Sequence, residues 1–283
     1  MSMRALAFAL AAFVVLASPA HAALDHQIIG GEQDHSLPAT GDCDHFYKTT
    51  FTSFESQVHD QEQRELPLED VERIQVTTVQ EGGLSVRGWN RSSARLIVCR
   101  YAVANSRQHA MRVLGSISVA SRNGEIAAYG PEIDATQAWW VNMILYVPRH
   151  ANIDIEAANG GVALRNLSGR VTAHSTTGGI SVAQSTGHYK LNTESGGITL
   201  DRVTGFVDAT SRDGGIALKV AGETPTIEAR TADAGHILCT LKGCDEKLAS
   251  WAANRTQLRI GEGVPDIRLA TNGASILIAP VTY

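Results

Sequence analysis

The chain has 283 residues, with 29 Asp and Glu against 24 Lys and Arg, for a formal net charge of -5 at neutral pH. That balance argues against a nucleic-acid binder driven by basic charge. Aromatics are only 6% of the residues, 26 glycines are spread along the chain, and Val, Ile, Thr and Ala fill the apolar and small positions, a composition that favours strands and turns over helices.

The first elements are for export. Met1-Ser2-Met3-Arg4 precedes an apolar run over residues 5–17, a Ser18-Pro19 breaker and then Ala20-His21-Ala22. This pattern reads as a secretory signal cleaved after Ala22. The run is shorter than the roughly 18 residues that a membrane helix needs. The expectation is an exported protein, periplasmic or extracellular, without a transmembrane anchor.

Residues 23–70 follow as an acidic, His-containing arm that is expected to be partly disordered. Over residues 23–73, twelve Asp or Glu stand against three Lys or Arg, whereas the chain beyond has seventeen against twenty. Asp25-His26, Asp34-His35, Asp44-His45 and His59-Asp60 set imidazoles beside carboxylates. Such a composition is able to capture zinc or nickel weakly, but a solvated acidic linker is the favoured reading. No metal site and no cofactor is expected.

Four cysteines, Cys43, Cys99, Cys239 and Cys244, are disulfide candidates in an exported protein. Three pairings are open. The short intervening loop favours Cys239 with Cys244, which leaves Cys43 to clip the arm onto the strand carrying Cys99.

Residues 71–150 read as an N-terminal β region and cap. Residues 74–86 around Gly82-Gly83, and residues 117–127 around Asn123-Gly124, show a strand, turn, strand rhythm that resembles degraded coils. Trp89 is expected to seal an end. Trp139-Trp140 opens a strand, and alternation sends one ring into the core and leaves the other exposed, where it could serve as a partner platform.

Residues 151–222 carry the clearest pattern. The glycine pairs Gly160-Gly161, Gly178-Gly179, Gly196-Gly197 and Gly214-Gly215 recur at one interval of eighteen residues, and Gly169, Gly187 and Gly205 form a second series in the same phase. Apolar residues alternate between them: Ile153, Ile155 and Ala157 before the first pair, Val162 and Leu164 after it. Period-two alternation around fixed turns predicts two short strands per unit with those side chains inward, and glycine at the turns is expected for its access to positive φ. So short a unit buries its apolar face only by stacking. The fold class expected is all-β: a parallel β-solenoid of about 18-residue coils with irregular β caps at both ends. Stacking in chain order sets Lys190 beside Asp208, Glu194 beside Arg212 and Asp201 beside Lys219.

Residues 223–283 read as irregular C-terminal coils and cap. Residues 226–231 resemble residues 266–271, each followed by a glycine and an apolar strand, and residues 244–255 look like an inserted loop or helical turn.

These features resemble the DUF4097 class of proposed adhesins, exported bacterial proteins with β-strand repeats. The match lies in Glu81-Gly82-Gly83-Leu84-Ser85-Val86-Arg87-Gly88-Trp89, in Tyr146-Val147-Pro148-Arg149, and in the Gly-Gly-Ile/Val turns that alternate with Ser/Thr-Gly corners. The resemblance implies a cell-envelope or extracellular location and an adhesive or scaffolding role, and it supplies no catalytic residues.

Parallel β-helices also serve as polysaccharide lyases and glycosidases, which need convergent carboxylates or clustered oxygen ligands for calcium. The outward columns run Asp154, Thr172, Lys190, Asp208 and Glu156, His174, Asn192, Thr210, so acids are diluted by bases and hydroxyls. Asp213 and Asp233 come nearest to a cluster, and turns commonly use Asp for backbone hydrogen bonds. His174 and His188 differ in phase and read as solvated surface residues. No nucleophile elbow, P-loop or dinucleotide motif occurs. The expectation is therefore no enzyme: an adhesin or envelope scaffold whose partner is a cell-surface, envelope or polysaccharide ligand, with a polysaccharide-active β-helix enzyme as the alternative.

Overall fold

The computed structural model describes Cys43 and residues 56–66, 73–78, 82–232, 235–242, 244 and 256–281. The signal segment, most of the arm and nearly all of the loop at residues 244–255 lie outside the described residues. Among the described residues there are eighteen strands and one helix, so the protein is all-β. The first part holds β1 (Ser56–Leu66), β2 (Arg73–Thr78), β3 (Leu84–Trp89), β4 (Ala94–Ala104), α1 (Arg107–Gly115), β5 (Ser118–Arg122), β6 (Glu125–Tyr129) and β7 (Gln137–Pro148). The glycine-paired stretch holds β8 (Asn152–Ala157), β9 (Val162–Arg165), β10 (Arg170–Ser175), β11 (Ile180–Thr193), β12 (Ile198–Ser211) and β13 (Ile216–Val220). The last part holds β14 (Ile227–Thr231), β15 (Ile237–Cys239), β16 (Gln257–Ile260), β17 (Ile267–Thr271) and β18 (Ile276–Pro280).

The glycine-paired strands stack as parallel rungs. Ile153 pairs with Val171, Val171 with Tyr189, and Tyr189 with Val207, each partner eighteen residues on. On the other side of each turn, Val162, Ile180, Ile198 and Ile216 align in the same way. The alternation buries Ile153, Ile155, Val162 and Leu164 and their successors in one continuous core between the two ladders. Each such aliphatic contributes about 1.5–3 kcal/mol on burial. The expected break into two strands per unit is absent from β11 and β12, which run unbroken for 14 residues through Gly187 and Gly205.

Rung order departs from chain order at both ends. The rung β17–β18 lies between the rung β12–β13 and the rung β14–β15, because β12 pairs with β17 and β17 with β14. At the other end β2–β3 lies between β6–β7 and β8–β9. Both insertions separate acidic residues that chain order would align. Stacking in chain order would set Glu228 in line with Asp208; the inserted Arg268 faces both instead. Likewise Gln75 stands between Glu125 and Asp154, and Arg73 reaches the Asp154 carboxylate at 2.8 Å. Like charges directly opposed on neighbouring strands are destabilising by about 0.2–1 kcal/mol. The outermost edges are covered by antiparallel strands, β16 on β14 and β5 on β6, while β4 and then β1 extend the sheet beyond β7. Such covers blunt edges that would otherwise pair with other chains.

Two expectations about the caps are corrected here. Residues 117–127 are no degraded coil: Asn123 and Gly124, at φ 52° and 77°, make the two-residue turn of an antiparallel hairpin between β5 and β6, the turn that Asn-Gly favours. Trp89 does not seal an end, because β3 lies between β7 and β9.

The reason for the glycine pairs also differs from the expected one. None of the eight has positive φ. A Cβ on Gly178 would lie 2.0 Å from the Gly160 carbonyl oxygen, and one on Gly196 or Gly214 would lie 2.2 or 2.1 Å from the carbonyl before it. The first glycine of each pair is required by the approach of the next backbone. At Gly161 the second is not, since a Cβ there finds its nearest neighbour at 3.7 Å, whereas a Cβ on Gly179, Gly197 or Gly215 would lie 3.1, 3.2 or 3.0 Å from the next carbonyl oxygen.

A column of buried hydroxyls locks these turns. Thr193 Oγ1 accepts from the Gly196 N–H and donates to the Gly178 carbonyl, both at 3.0 Å. Ser211 repeats this with Gly214 and Gly196, both at 2.9 Å. Thr271 then donates to Gly214 at 3.0 Å and Thr231 to Ala274 at 2.7 Å, following spatial and not chain order. Ala157 interrupts the column, and Thr78 Oγ1 beyond it is buried without a hydrogen-bond partner.

Two outcomes follow for thermal unfolding. Gly178→Ala lowers stability by about 3 kcal/mol, because the carbonyl it meets is backbone, whereas Gly161→Ala stays within about 1 kcal/mol of the parent; equal losses would contradict the packing explanation. Ala157→Ser completes the hydroxyl column and raises stability by about 1 kcal/mol.

Candidate functional site

The cysteines pair as Cys43–Cys99 and Cys239–Cys244, across sequence separations of 56 and 5. Closing those loops restricts the unfolded chain by about 4 and about 2 kcal/mol respectively. Cys43, Cys99, Ile97, Tyr101, Trp140 and Ile144 form a second buried cluster on the face of β4 and β7 opposite the main core. The Tyr101 and Trp140 rings stack there at 5.0 Å. Trp139 is 3% exposed in the main core and Trp140 is 9% exposed, so neither is the open platform that alternation alone allows. The backbone alternates as expected, but a second core covers the outward ring.

Residues 56–66, at the end of the acidic stretch, form β1 against β4. Asp60 of the His59-Asp60 pair is held by Arg100 through two hydrogen bonds of 2.8 Å, so this carboxylate is committed to structure. The other three Asp-His pairs and Asp233 lie outside the described residues. Asp213 contacts Arg212 at 3.3 Å, and Arg212 reaches Glu194 at 3.4 Å. Lys190 and Asp208 are cross-strand partners. Asp201 and Lys219 share a register position, yet the Asp201 carboxylate is taken by Arg202 at 2.8 Å. His174 stands between Glu156 and Asn192 in its outward column. Among the described residues no three His, Cys, Asp or Glu are grouped to hold a metal ion.

The structure brings together a different set of residues, at the corner where each rung turns after its second ladder. Asn166, Gln184 and Arg202 occupy one position in three successive rungs, and all three have positive φ, at 58°, 50° and 53°. Side chains longer than Asn are uncommon in that conformation, and residues held there cluster at functional sites. They line a cleft of about 210 Å³ together with Arg149, Thr186 and Thr204. Beside it His188 and Phe206 stack at 5.1 Å, and Phe206 is 52% exposed. A second cleft, of about 190 Å³, lies near Leu241 and Val281 and has Lys242 as its one charged lining residue.

The corner cleft continues into an arginine and aromatic surface. Arg165 Nε donates to Gln184 Oε1 at 2.9 Å, and Arg165 is the cross-strand neighbour of Arg87. Arg87 donates to the Tyr146 hydroxyl at 3.0 Å. Burial lowers the Arg87 pKa from its ordinary value; Tyr146 opposes the shift and the like charge of Arg165 adds to it. Trp89 packs on Tyr146 at 5.4 Å and carries the guanidiniums of Arg91 at 4.8 Å and Arg95 at 5.4 Å. Arg95 is paired with Glu65 at 2.7 Å. Apart from Arg87, Trp89, Tyr146 and Arg149, which lie in the motifs resembling DUF4097, none of this surface was singled out in the sequence. The same interval applied to residues 166, 184 and 202 is the signal that finds the corner.

Stacked parallel rungs define an all-β protein, and among the described residues no helix is long and apolar enough to cross a membrane. The Toastrack DUF4097 family model matches residues 56–253, and the chain belongs to that family. Solved structures with similar folds include a proposed cell adhesion protein from Clostridium sporogenes, 9% identical, covering 79% of this chain and 100% of that one at a TM-score of 0.43. A proposed adhesin from Bacteroides fragilis is 11% identical, covering 78% of this chain and 97% of that one at a TM-score of 0.32. A proposed lipid-binding protein from Parabacteroides distasonis is 12% identical, covering 79% and 97% at a TM-score of 0.24. No curated protein matches the chain.

Tyr189 is tied to the corner through the Leu167 carbonyl. The Tyr189 hydroxyl donates to the Leu167 carbonyl at 3.1 Å, and burial pushes its pKa up from 10 to about 12, with Ser185 opposing. A phenol raised in the folded state contributes stability in full below pH 10 and loses it as pH climbs towards 12. Thermal unfolding followed from pH 8 to 12 is expected to show a steeper alkaline fall for the parent than for Tyr189→Phe, at a cost to the variant of about 1 kcal/mol at neutral pH.

Proposed function

We propose that the parallel rungs make up an exported β-solenoid of about 18-residue coils, capped at residues 71–150 and 223–283, and that the protein is a non-enzymatic adhesin or cell-envelope scaffold. The observation that carries this reading is the distribution of charge over the outward faces. Acids sit singly, opposite bases: Lys190 on Asp208, and Arg268 between Asp208 and Glu228. An arrangement of that kind favours a flat, mixed surface that meets a large partner over a solvent-accessible convergence of carboxylates acting on one bond. Two disulfides fit an oxidising compartment, and the DUF4097 resemblance implies the same location and role. The glycine pairs and the cysteines act here as structural residues, with no catalytic side chain, metal or cofactor in the scheme.

Fluorescently labelled full-length protein, applied to whole cells and to isolated envelope fractions, is expected to bind saturably and to be displaced by unlabelled protein. Release of new reducing ends or unsaturated products from a polysaccharide panel would instead establish the enzyme reading.

A further inference from the structure

Six arginines gather on one corner of the rungs: Arg87, Arg91, Arg95, Arg149, Arg165 and Arg202. Parallel register sets Arg87 beside Arg165, Arg165 bonds Gln184, and Gln184 shares its cleft with Arg149 and Arg202. Arg91 and Arg95 extend the same surface over Trp89. Arg95 is paired with Glu65 and Arg202 with Asp201. Side chains held at positive φ work against the fold and cluster at functional sites. A surface that gathers six guanidiniums around such positions suits an anionic partner.

The chemistry of the partner follows from what surrounds the arginines. Amides and hydroxyls from Asn166, Gln184, Ser168, Thr186 and Thr204 line the cleft, a set suited to the hydroxyls of a sugar. The Asn166, Gln184, Arg202 position recurs once per rung, at the spacing of neighbouring strands, about 4.8 Å, close to the length of one pyranose unit in an extended chain. Phe206, stacked on His188, offers one exposed ring face at the side of the cleft. A lipid surface calls for several apolar side chains to enter it, and this corner exposes a single ring. Single-stranded nucleic acid calls for open aromatic faces, and Trp89 is covered by its own guanidiniums.

We infer that this corner binds an acidic polysaccharide, its chain laid across successive rungs, with Arg149 and Arg202 holding carboxylates and the amide and hydroxyl lining reading the sugar hydroxyls. The inference rests on the adhesive reading above and supplies its ligand class.

Titration of the full-length protein with polygalacturonate, with dextran as the uncharged control, tests it. Binding to polygalacturonate and not to dextran is expected. The double variant R149Q/R202Q weakens it about tenfold or more, by loss of two charge-assisted contacts. Gln is already accommodated at positive φ one rung away, at Gln184, so the variant keeps the corner's backbone. R107Q/R112Q, which removes the same charge from exposed positions of α1, leaves affinity within about threefold. Phe206→Ser, at an exposed position, weakens binding without altering net charge. Equal loss in both double variants, no binding at all, or binding to phosphatidylglycerol vesicles in place of polygalacturonate would overturn the assignment. Envelope binding that persists in R149Q/R202Q overturns it while leaving the adhesive role standing; envelope binding absent from every protein removes that role itself.

Discussion

The spacing of parallel strands, about 4.8 Å, is the constraint from which most of this molecule follows. At that distance the carbonyl of one turn occupies the place of a Cβ on the turn above, so Gly178, Gly196 and Gly214 admit no side chain. Glycine in turn leaves the loop without side-chain restraint. The hydroxyls of Ser175, Thr193 and Ser211 supply it, each accepting from the turn N–H three residues on. The same spacing brings outward side chains into columns, where unlike charges attract and like charges, such as Arg87 beside Arg165, repel.

The ends depart from chain order. The chain leaves its first rung, builds the outermost one with α1 and the β5–β6 hairpin between, and returns beside its starting point. At the far end it does the reverse, so that its last rung lies inside its last but one. Both terminal rungs of the chain are therefore internal, with pairing on two sides. Peeling either of these rungs away has to break two ladders at once, and the disulfide between Cys43 and Cys99 adds a covalent restraint at β4.

The proposed function draws on the surfaces of this scaffold. The two sheet faces differ in character. One carries alternating acids and bases from Lys190 to Glu228; the other rises to a corner where guanidiniums, amides and hydroxyls meet around a shallow cleft. The corner exists because the chain turns there through positive φ at Asn166, Gln184 and Arg202. The turn aims these side chains outward from a strand that would otherwise alternate past them.

The repeat was legible in the amino-acid sequence because its causes are local and recur. Backbone crowding demands glycine at a fixed interval, and period-two burial demands apolar residues at Ile153, Val171, Tyr189 and Val207. Those facts determine the all-β class, the parallel register and the inward side chains. They do not determine rung order. Residues 226–231 and 266–271 match the same ladder equally well in apolar pattern, and only the folded structure shows that Arg268 stands between Asp208 and Glu228. Nor does alternation decide that Trp140 is buried, since its ring stacks on Tyr101 in a second cluster that also draws in the distant Cys43. The arginine corner likewise draws on residues from Arg87 to Arg202, remote along the chain and joined only by stacking. Local backbone chemistry wrote the repeat into the sequence; long-range pairing, visible only in three dimensions, decided how its pieces are ordered and what surface they share.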